Sequence, residues 1–124
     1  MPLLVPGSSI VFISSTASLR PGTRVPSYDT SKAALAALGR HVALEGQDIG
    51  VRANVLAPGP IDTALGRAAA IRRQSSNTQK LPFNREGVAW EVAYVTLFLL
   101  SHESSFVNAQ VIVVDGGMTG LQLR

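Results

Sequence analysis

Residues 10–56 of this chain read IVFISSTASLRPGTRVPSYDTSKAALAALGRHVALEGQDIGVRANVL. A continuous apolar run at 10–13 comes first, and a loop rich in proline and glycine follows it. An alanine-rich stretch at 27–46 then leads to a second candidate strand at 51–56, in which Arg52 and Asn54 alternate with apolar residues. Short continuous apolar runs predict strands that are buried on both faces, and alanine is the strongest helix former. The stretch therefore predicts a strand, a helix and a second strand parallel to the first.

The rest of the chain continues this alternation. It predicts a turn at 57–60 (APGP), a short helix at 64–73, a mobile polar excursion at 75–80, a helix at 88–100 and a strand at 111–114. The element order is β-α-β-α-β, and every strand is nearly all apolar. This pattern predicts an α/β fold with a doubly wound parallel sheet of three strands and flanking helices.

Composition excludes several classes of protein. The 124 residues are 46% hydrophobic and 15% charged, which is typical of one folded domain and not of disorder. No cysteine occurs, so thiol catalysis, disulfides and iron–sulfur clusters are excluded. The net charge of +3 comes without a basic run, which argues against a nucleic-acid partner. The longest apolar stretch, 92–100, is too short to span a membrane, and we expect a soluble cytoplasmic protein without a signal peptide.

Three side chains, Ser15, Tyr28 and Lys32, could together move a proton to or from a carbonyl oxygen. Residues four apart lie on one face of a helix, so the ammonium of Lys32 should lie beside the phenol of Tyr28. A nearby positive charge favours the phenolate, and general acid–base catalysis needs a phenol that exchanges its proton near neutral pH. Ser15 follows the first strand at its carboxyl end, where open α/β sheets bind ligands.

Each of these features also has an ordinary structural interpretation. A tyrosine and a lysine four residues apart are most often a solvated pair on a helix, and a serine at a strand end is most often a turn former. A solvated helix face is the expected place for Arg67, Arg72 and Arg73. The chemical interpretation depends on the occurrence of all the parts in one order.

That order resembles the short-chain dehydrogenase/reductase family. The similarity is carried by ISS at 13–15, YDTSKAAL at 28–35, VRANVLAPGPIDT at 51–63 and QVIVVDGG at 110–117, with Arg85 and Glu91-Val92-Ala93 between the last two. The resemblance implies that Tyr28 is the general acid or base and that Ser15 orients the substrate oxygen. It also implies that Lys32 assists Tyr28 and holds the hydroxyls of the nicotinamide ribose, and that Tyr28 contacts the cofactor as well. Asn54 in this family is expected to be structural.

Further roles follow from the same resemblance. Pro58, Gly59 and Ile61 would border the nicotinamide, Thr63 would reach its carboxamide, and residues 64–82 would form a lid over the substrate. The implied reaction is hydride transfer between NAD or NADP and a small carbonyl or alcohol substrate, with no metal. The implied domain is a single one over 1–124, with the catalytic segment at 9–63 and the C-terminal helix and strand at 88–117.

Members of that family are about twice as long, and the glycine-rich phosphate loop of their first half has no counterpart here. We therefore expect a partial Rossmann-like fold without its N-terminal dinucleotide-binding half, and weak cofactor binding. Three hypotheses stay open. The first is an oxidoreductase that is active only with a complementing N-terminal segment or as a fragment of a longer enzyme. The second is a non-catalytic remnant that acts as an oligomerisation or interaction module, and the third is a different chemistry on the same scaffold, such as epimerisation or dehydration. The resemblance also implies a homo-oligomer with contacts through the helices at 28–46 and 88–100.

Overall fold

The computed structural model describes residues 4–20, 22–73 and 81–121, with the side chains of 69–73 left out. The described strands and helices, in chain order, are β1 Ser9–Ile13, α1 Pro26–Gly46, β2 Arg52–Pro58, β3 Ile61–Asp62, α2 Ala64–Arg73, β4 Gly87–Val88, α3 Ala89–Leu100 and β5 Val111–Val114. The predicted polar excursion at 75–80 lies outside the described residues. The helices and strands predicted within them are all present, with bounds that differ by a few residues.

The main sheet has the strand order β1-β2-β5, and both pairs of strands are parallel. Ile13 is opposite Leu56 in the first pair, and Val55 is opposite Val111 in the second. The predicted α/β fold with a three-stranded parallel sheet is thereby confirmed. Because the strands are parallel, their carboxyl ends meet at one edge of the sheet, and this edge carries the candidate site.

The core lies around β2, whose residues from Arg52 to Ala57 are all buried. Helix α1 packs directly on this strand. Gly39 of α1 is buried, and a β-carbon at that position would lie 2.5 Å from Cγ2 of Val55. A glycine is required there because the helix and the strand approach too closely for a side chain. The segment predicted as the second strand thus forms the centre of the fold.

Two predictions about the strands were wrong. The run at 10–13 was expected to be buried on both faces, but β1 is only half-buried and Ile13 is 45% exposed. The reason is that β1 is an edge strand of the described sheet. The turn predicted at 57–60 begins later, because Ala57 and Pro58 still pair with Val113 and Val114 of β5. Proline is tolerated at this position because it is the last residue of the strand.

Helix α3 is fixed at its carboxyl end by the buried Arg52 of β2. The guanidinium Nη1 donates to the Leu99 carbonyl at 3.1 Å and to Ser104 Oγ at 3.0 Å, and Nη2 donates to the Ser101 carbonyl at 2.9 Å. Positive charge at this end of a helix offsets the partial negative charge of its free carbonyls. On the same side, Ser9 Oγ of β1 donates to the Leu99 carbonyl at 2.7 Å.

Asn54, the other buried polar residue of β2, has a structural role as predicted. Its side-chain nitrogen donates to the Val107 carbonyl at 2.8 Å, and its oxygen accepts from the Gln110 amide at 3.0 Å. These bonds hold the segment that leads into β5. Across the described residues, none of the helices is both long and apolar enough to cross a bilayer.

Candidate active site

Ser14 and Ser15 leave the carboxyl end of β1 in an extended conformation, and the chain then turns into a short helix at 16–18. The Ser14 amide still donates to the Leu56 carbonyl of β2 at 2.7 Å, so the strand end is tied to the sheet. Ser15 caps the short helix, and its Oγ accepts a hydrogen bond from the Ala17 amide at 3.2 Å. A hydroxyl that accepts in this way keeps its own proton to donate.

Tyr28 and Lys32 lie one turn apart near the start of α1. The helix begins at Pro26, whose fixed φ suits the first helical position. Lys32 Nζ is 5.7 Å from the centre of the Tyr28 ring, within the distance at which a cation is attracted to an aromatic face. Tyr28 is 37% exposed, so the ring is open to a ligand from solvent. The structure thus brings these two side chains together, and their catalytic roles stay predictions.

Lys32 also connects α1 to the end of β1. Its Nζ donates to the Ile13 carbonyl at 3.0 Å, which uses one of its three donors. In the opposite direction, Ser14 Oγ donates to the Lys32 carbonyl at 2.8 Å. These two bonds fix the position of Lys32 beside the segment that carries Ser15. The helical turn that carries Tyr28 and Lys32 is therefore joined to the carboxyl end of β1, the strand that Ser15 follows.

A residue that the sequence reasoning missed holds the loop before α1 in place. Asp29 accepts from Thr23 Oγ1 at 2.6 Å and from the Gly22 amide at 3.3 Å. The signal was available in the sequence, because a carboxylate in the first turn of a helix is favoured by the positive end of the helix dipole. Asp29 is adjacent to Tyr28, so this bond helps to fix where the helix begins.

Four of the six predicted cofactor-binding residues lie on the segment at 58–63, which begins at the last residue of β2, and the other two are Tyr28 and Lys32. The Gly59 amide donates to the Val114 carbonyl at 2.9 Å, and a β-carbon on Gly59 would lie 2.6 Å from that of Asp115. Pro58 ends β2 and Ile61 begins β3. Thr63 Oγ1 accepts from the Gly66 amide at 3.0 Å and thereby caps α2. The structure keeps these residues on one continuous segment beside the end of β5.

Arg85 and Glu91 form an ion pair that the sequence did not predict, and the pair lies next to this segment along β4. Arg85 donates to both carboxylate oxygens of Glu91, at 2.9 and 2.7 Å, and Glu91 Oε2 also accepts from the Val88 amide at 2.8 Å. The hydrogen bond from Arg85, followed by that from Val88, lowers the pKa of Glu91 to about 2. The same hydrogen bond and the charge of Glu91 raise the pKa of Arg85. The pair joins α3 to β4, and the Gly87 amide of β4 donates to the Pro60 carbonyl at 3.0 Å.

A cavity of about 90 Å³ lies between Ile61, Pro82, Phe83, Val114 and Asp115. It is much smaller than the several hundred cubic ångströms that a dinucleotide requires, and the three predicted catalytic residues do not line it.

Burial acts to raise the pKa of the Asp115 carboxyl, but hydrogen bonds from Thr119, Gly117 and Met118 outweigh it, and the pKa is lowered. Asp115 therefore serves to hold the turn after β5.

Comparisons with known proteins match most of the chain. A family model described as enoyl-(acyl carrier protein) reductase matches residues 1–119. The chain is 39% identical over 109 residues to the 3-oxoacyl-[acyl-carrier-protein] reductase MabA of Mycobacterium tuberculosis, and the match covers 88% of this chain and 44% of MabA. It is also 39% identical over 114 residues to the peroxisomal 2,4-dienoyl-CoA reductase of Danio rerio, and this match covers 90% of this chain and 38% of the reductase.

Among solved structures, a short chain dehydrogenase family protein from Francisella tularensis superposes with a TM-score of 0.85 at 32% identity. That match covers 95% of this chain and 53% of the Francisella protein. The chain thus spans about half the length of the structures and less than half the length of the curated relatives that it matches.

Proposed function

Because the chain belongs to the short-chain dehydrogenase/reductase family, we propose that it carries the proton-transfer part of an NAD(P)-dependent oxidoreductase site. The proposed reaction interconverts a carbonyl and an alcohol. The observation that supports it is the ammonium of Lys32, 5.7 Å from the Tyr28 ring and bonded to the end of the strand that leads to Ser15. Acid–base catalysis on a substrate oxygen requires these groups near one another.

The residues present fit the nicotinamide end of such a cofactor. Lys32 keeps two donors after its bond to the Ile13 carbonyl, and two donors suit the two hydroxyls of a ribose. Gly59 follows β2, and Asp115 fills the space that its side chain would take, so only backbone atoms of Gly59 could border the ring. NAD or NADP, when bound, would supply or accept the hydride. Within the described residues, the glycine-rich turn at 115–120 follows β5 but leads into no described helix, whereas a pyrophosphate site uses a helix N-terminus. Weak binding is therefore part of the proposal.

The proposed mechanism uses the three side chains as follows. Ser15 donates its free proton to the substrate oxygen and orients it, since its Oγ already accepts from the Ala17 amide. Tyr28 gives its phenolic proton to the oxygen during reduction, or accepts one during oxidation. Lys32 stabilises the phenolate that this transfer leaves, because its positive charge lies beside the ring.

The substrate class is a further part of this proposal. The names of two relatives place their substrates on acyl carriers, as a 3-oxoacyl-[acyl-carrier-protein] and a 2,4-dienoyl-CoA. A 3-oxoacyl thioester such as acetoacetyl-CoA is therefore the first substrate to test, beside simple ketones and the corresponding alcohols. Product analysis in the same assay also distinguishes reduction from epimerisation and dehydration.

A second candidate function, an oligomerisation or interaction module, is favoured by one face of α3. Trp90, Tyr94 and Leu97 are 69%, 65% and 66% exposed at positions that share one side of the helix. The only charged residue of α3, Glu91, is neutralised by Arg85. Such a face suits an apolar partner. The proposed partners are a second copy of the chain or a complementing short-chain dehydrogenase/reductase segment.

Titration of the purified protein with NADH and NADPH tests the first candidate against the second. Saturable binding, with reduction of acetoacetyl-CoA that is lost in Tyr28→Phe, would support the oxidoreductase. If neither cofactor binds the chain, alone or in its oligomer, the oxidoreductase proposal is wrong for this polypeptide. Sedimentation velocity on the same samples reports whether the protein self-associates.

A further inference from the structure

Ser14 is a polar side chain that the proposed mechanism does not use. It is buried, at 5% exposure, between the catalytic candidate Ser15 and the strand end Ile13. Its amide donates to the Leu56 carbonyl at 2.7 Å and its Oγ donates to the Lys32 carbonyl at 2.8 Å. A side chain that is removed from water in this way needs its hydrogen bond, because an unpaired buried hydroxyl is costly.

The bond from Ser14 is one of a reciprocal pair. Ser14 Oγ donates to the Lys32 carbonyl, and Lys32 Nζ in turn donates to the Ile13 carbonyl at 3.0 Å. Lys32 is therefore held at both its main chain and its side chain by two consecutive residues. The main-chain bond limits rotation of α1 about its own axis, and this rotation would move Tyr28 and Lys32 together relative to Ser15.

We propose that Ser14 is a positioning residue that sets the Tyr28–Lys32 pair against Ser15. Ser14 touches neither substrate nor cofactor in this scheme, and it acts through the Lys32 carbonyl. Loss of its hydroxyl would remove the bond that ties this turn of α1 to the end of β1, allow α1 to shift, and release the Lys32 ammonium from the Ile13 carbonyl. The inference rests on the proposed function, because the position of Lys32 matters for catalysis only if Lys32 assists Tyr28 and binds the cofactor.

The chain offers a matched control at the other end of the same strand. Ser9 Oγ donates to the Leu99 carbonyl of α3 at 2.7 Å, so it too is a part-buried hydroxyl that joins β1 to a helix carbonyl. Ser9→Ala therefore removes a bond of the same kind without touching α1. A purely structural role for Ser14 predicts that Ser9→Ala and Ser14→Ala behave alike at the site.

The test compares the full chain with Ser9→Ala, Ser14→Ala and Ser14→Thr, which keeps the hydroxyl. The first readout is the order of the Lys32 ammonium from ¹⁵N relaxation. It can be assigned because the chain has only two lysines, Lys32 and Lys80, and the signal that survives in Lys80→Arg belongs to Lys32. The second readout is binding of nicotinamide mononucleotide, which carries the nicotinamide ribose without the adenosine half, measured by NMR titration.

We expect Ser14→Ala to disorder the Lys32 ammonium and to weaken mononucleotide binding about fivefold to tenfold, the loss of one hydrogen bond. Ser9→Ala should change neither, and Ser14→Thr should retain both. Equal behaviour of Ser9→Ala and Ser14→Ala overturns the proposal. If the unsubstituted chain binds no mononucleotide, the proposed cofactor site fails, and the ammonium order alone still decides the role of Ser14.

If Ser14→Ala does not fold, Ser14→Cys replaces it, because a thiol is a weak donor. An ordered Lys32 in Ser14→Cys would then overturn the proposal.

Discussion

Gly39 of α1 and Val55 of β2 approach so closely that a β-carbon on the glycine would lie 2.5 Å from Cγ2 of the valine. We predict that Gly39→Ala destabilises the protein by about 1–3 kcal/mol through overpacking, although alanine is the better helix former by about 1 kcal/mol. Urea denaturation measures the change. The double variant Gly39→Ala/Val55→Ala should lose less free energy of unfolding than the sum of the two single variants, because Val55→Ala removes the clashing methyl group. Additive effects of the two substitutions would contradict a direct contact.

Tyr28 and Tyr94, the two tyrosines of the chain, provide a matched pair of substitutions. Tyr28→Phe should lower the rate of acetoacetyl-CoA reduction by about 100-fold to 10,000-fold, the usual contribution of a general acid. Tyr94→Phe, which alters an exposed phenol on α3, should leave the rate unchanged. Circular dichroism checks that both variants are folded. An unchanged rate in Tyr28→Phe would remove the proposed acid.

Lys32→Ala removes the ammonium that bonds the Ile13 carbonyl and lies beside the Tyr28 ring. We expect it to weaken binding of nicotinamide mononucleotide by about tenfold or more, because hydrogen bonds from a charged donor contribute more than neutral ones. Arg40→Ala removes an exposed cation from the same helix and is the control. Equal affinities of the two variants in an NMR titration would show that Lys32 is merely a solvated residue.

The bond between Arg85 and Glu91 should make stability depend on pH in the acid range. The pKa of Glu91 is lowered from 4.5 to about 2, so the pair stabilises the folded state fully above pH 4.5 and loses this effect as the pH falls towards 2. Urea midpoints between pH 2 and 6 measure the slope, which Glu91→Gln should reduce. Glu45→Gln removes an exposed carboxylate of α1 and should not change the slope. Identical slopes for the two variants would exclude the ion pair as the cause.

The exposed apolar face of α3 should mediate self-association. Leu97→Glu places a charge on this face, and sedimentation velocity should show a shift towards monomer relative to the unchanged protein. Leu65→Glu on α2 also introduces a charge at an exposed leucine and should leave the assembly as it is. The two variants are expected to fold equally well, because both leucines are largely exposed. Dissociation by both substitutions would argue against a contact specific to α3.

Much of this fold could be predicted from local sequence patterns. The apolar runs at 10–13 and 111–114 and the alanine-rich stretch of α1 are strong local signals, and all three form the expected elements. Burial of β1 could not be predicted in the same way, because its outer face depends on which strand lies beside it. The two-residue strands β3 and β4 were missed because two residues establish no period.

The candidate site was only partly accessible from the sequence. Helical spacing placed Tyr28 beside Lys32 because the contact lies within one helix. The bonds from Ser14 and Lys32 that tie α1 to β1 join residues 18 and 19 positions apart, and no local pattern encodes them. Arg85 and Glu91 were noted as part of a family pattern, but their pairing depends on how β4 enters α3.

The guanidinium of Arg52 has an implication for the order in which the protein is assembled. Its acceptors lie 47 to 55 positions later in the chain, at Leu99, Ser101, Ser104 and Val107. During synthesis, β2 leaves the ribosome well before these groups exist, and burial of an uncompensated cation is unfavourable. Because β2 also pairs with β5, the central strand cannot reach its final environment until residues up to Val114 have been translated. The domain therefore completes its folding only after β5 has been made.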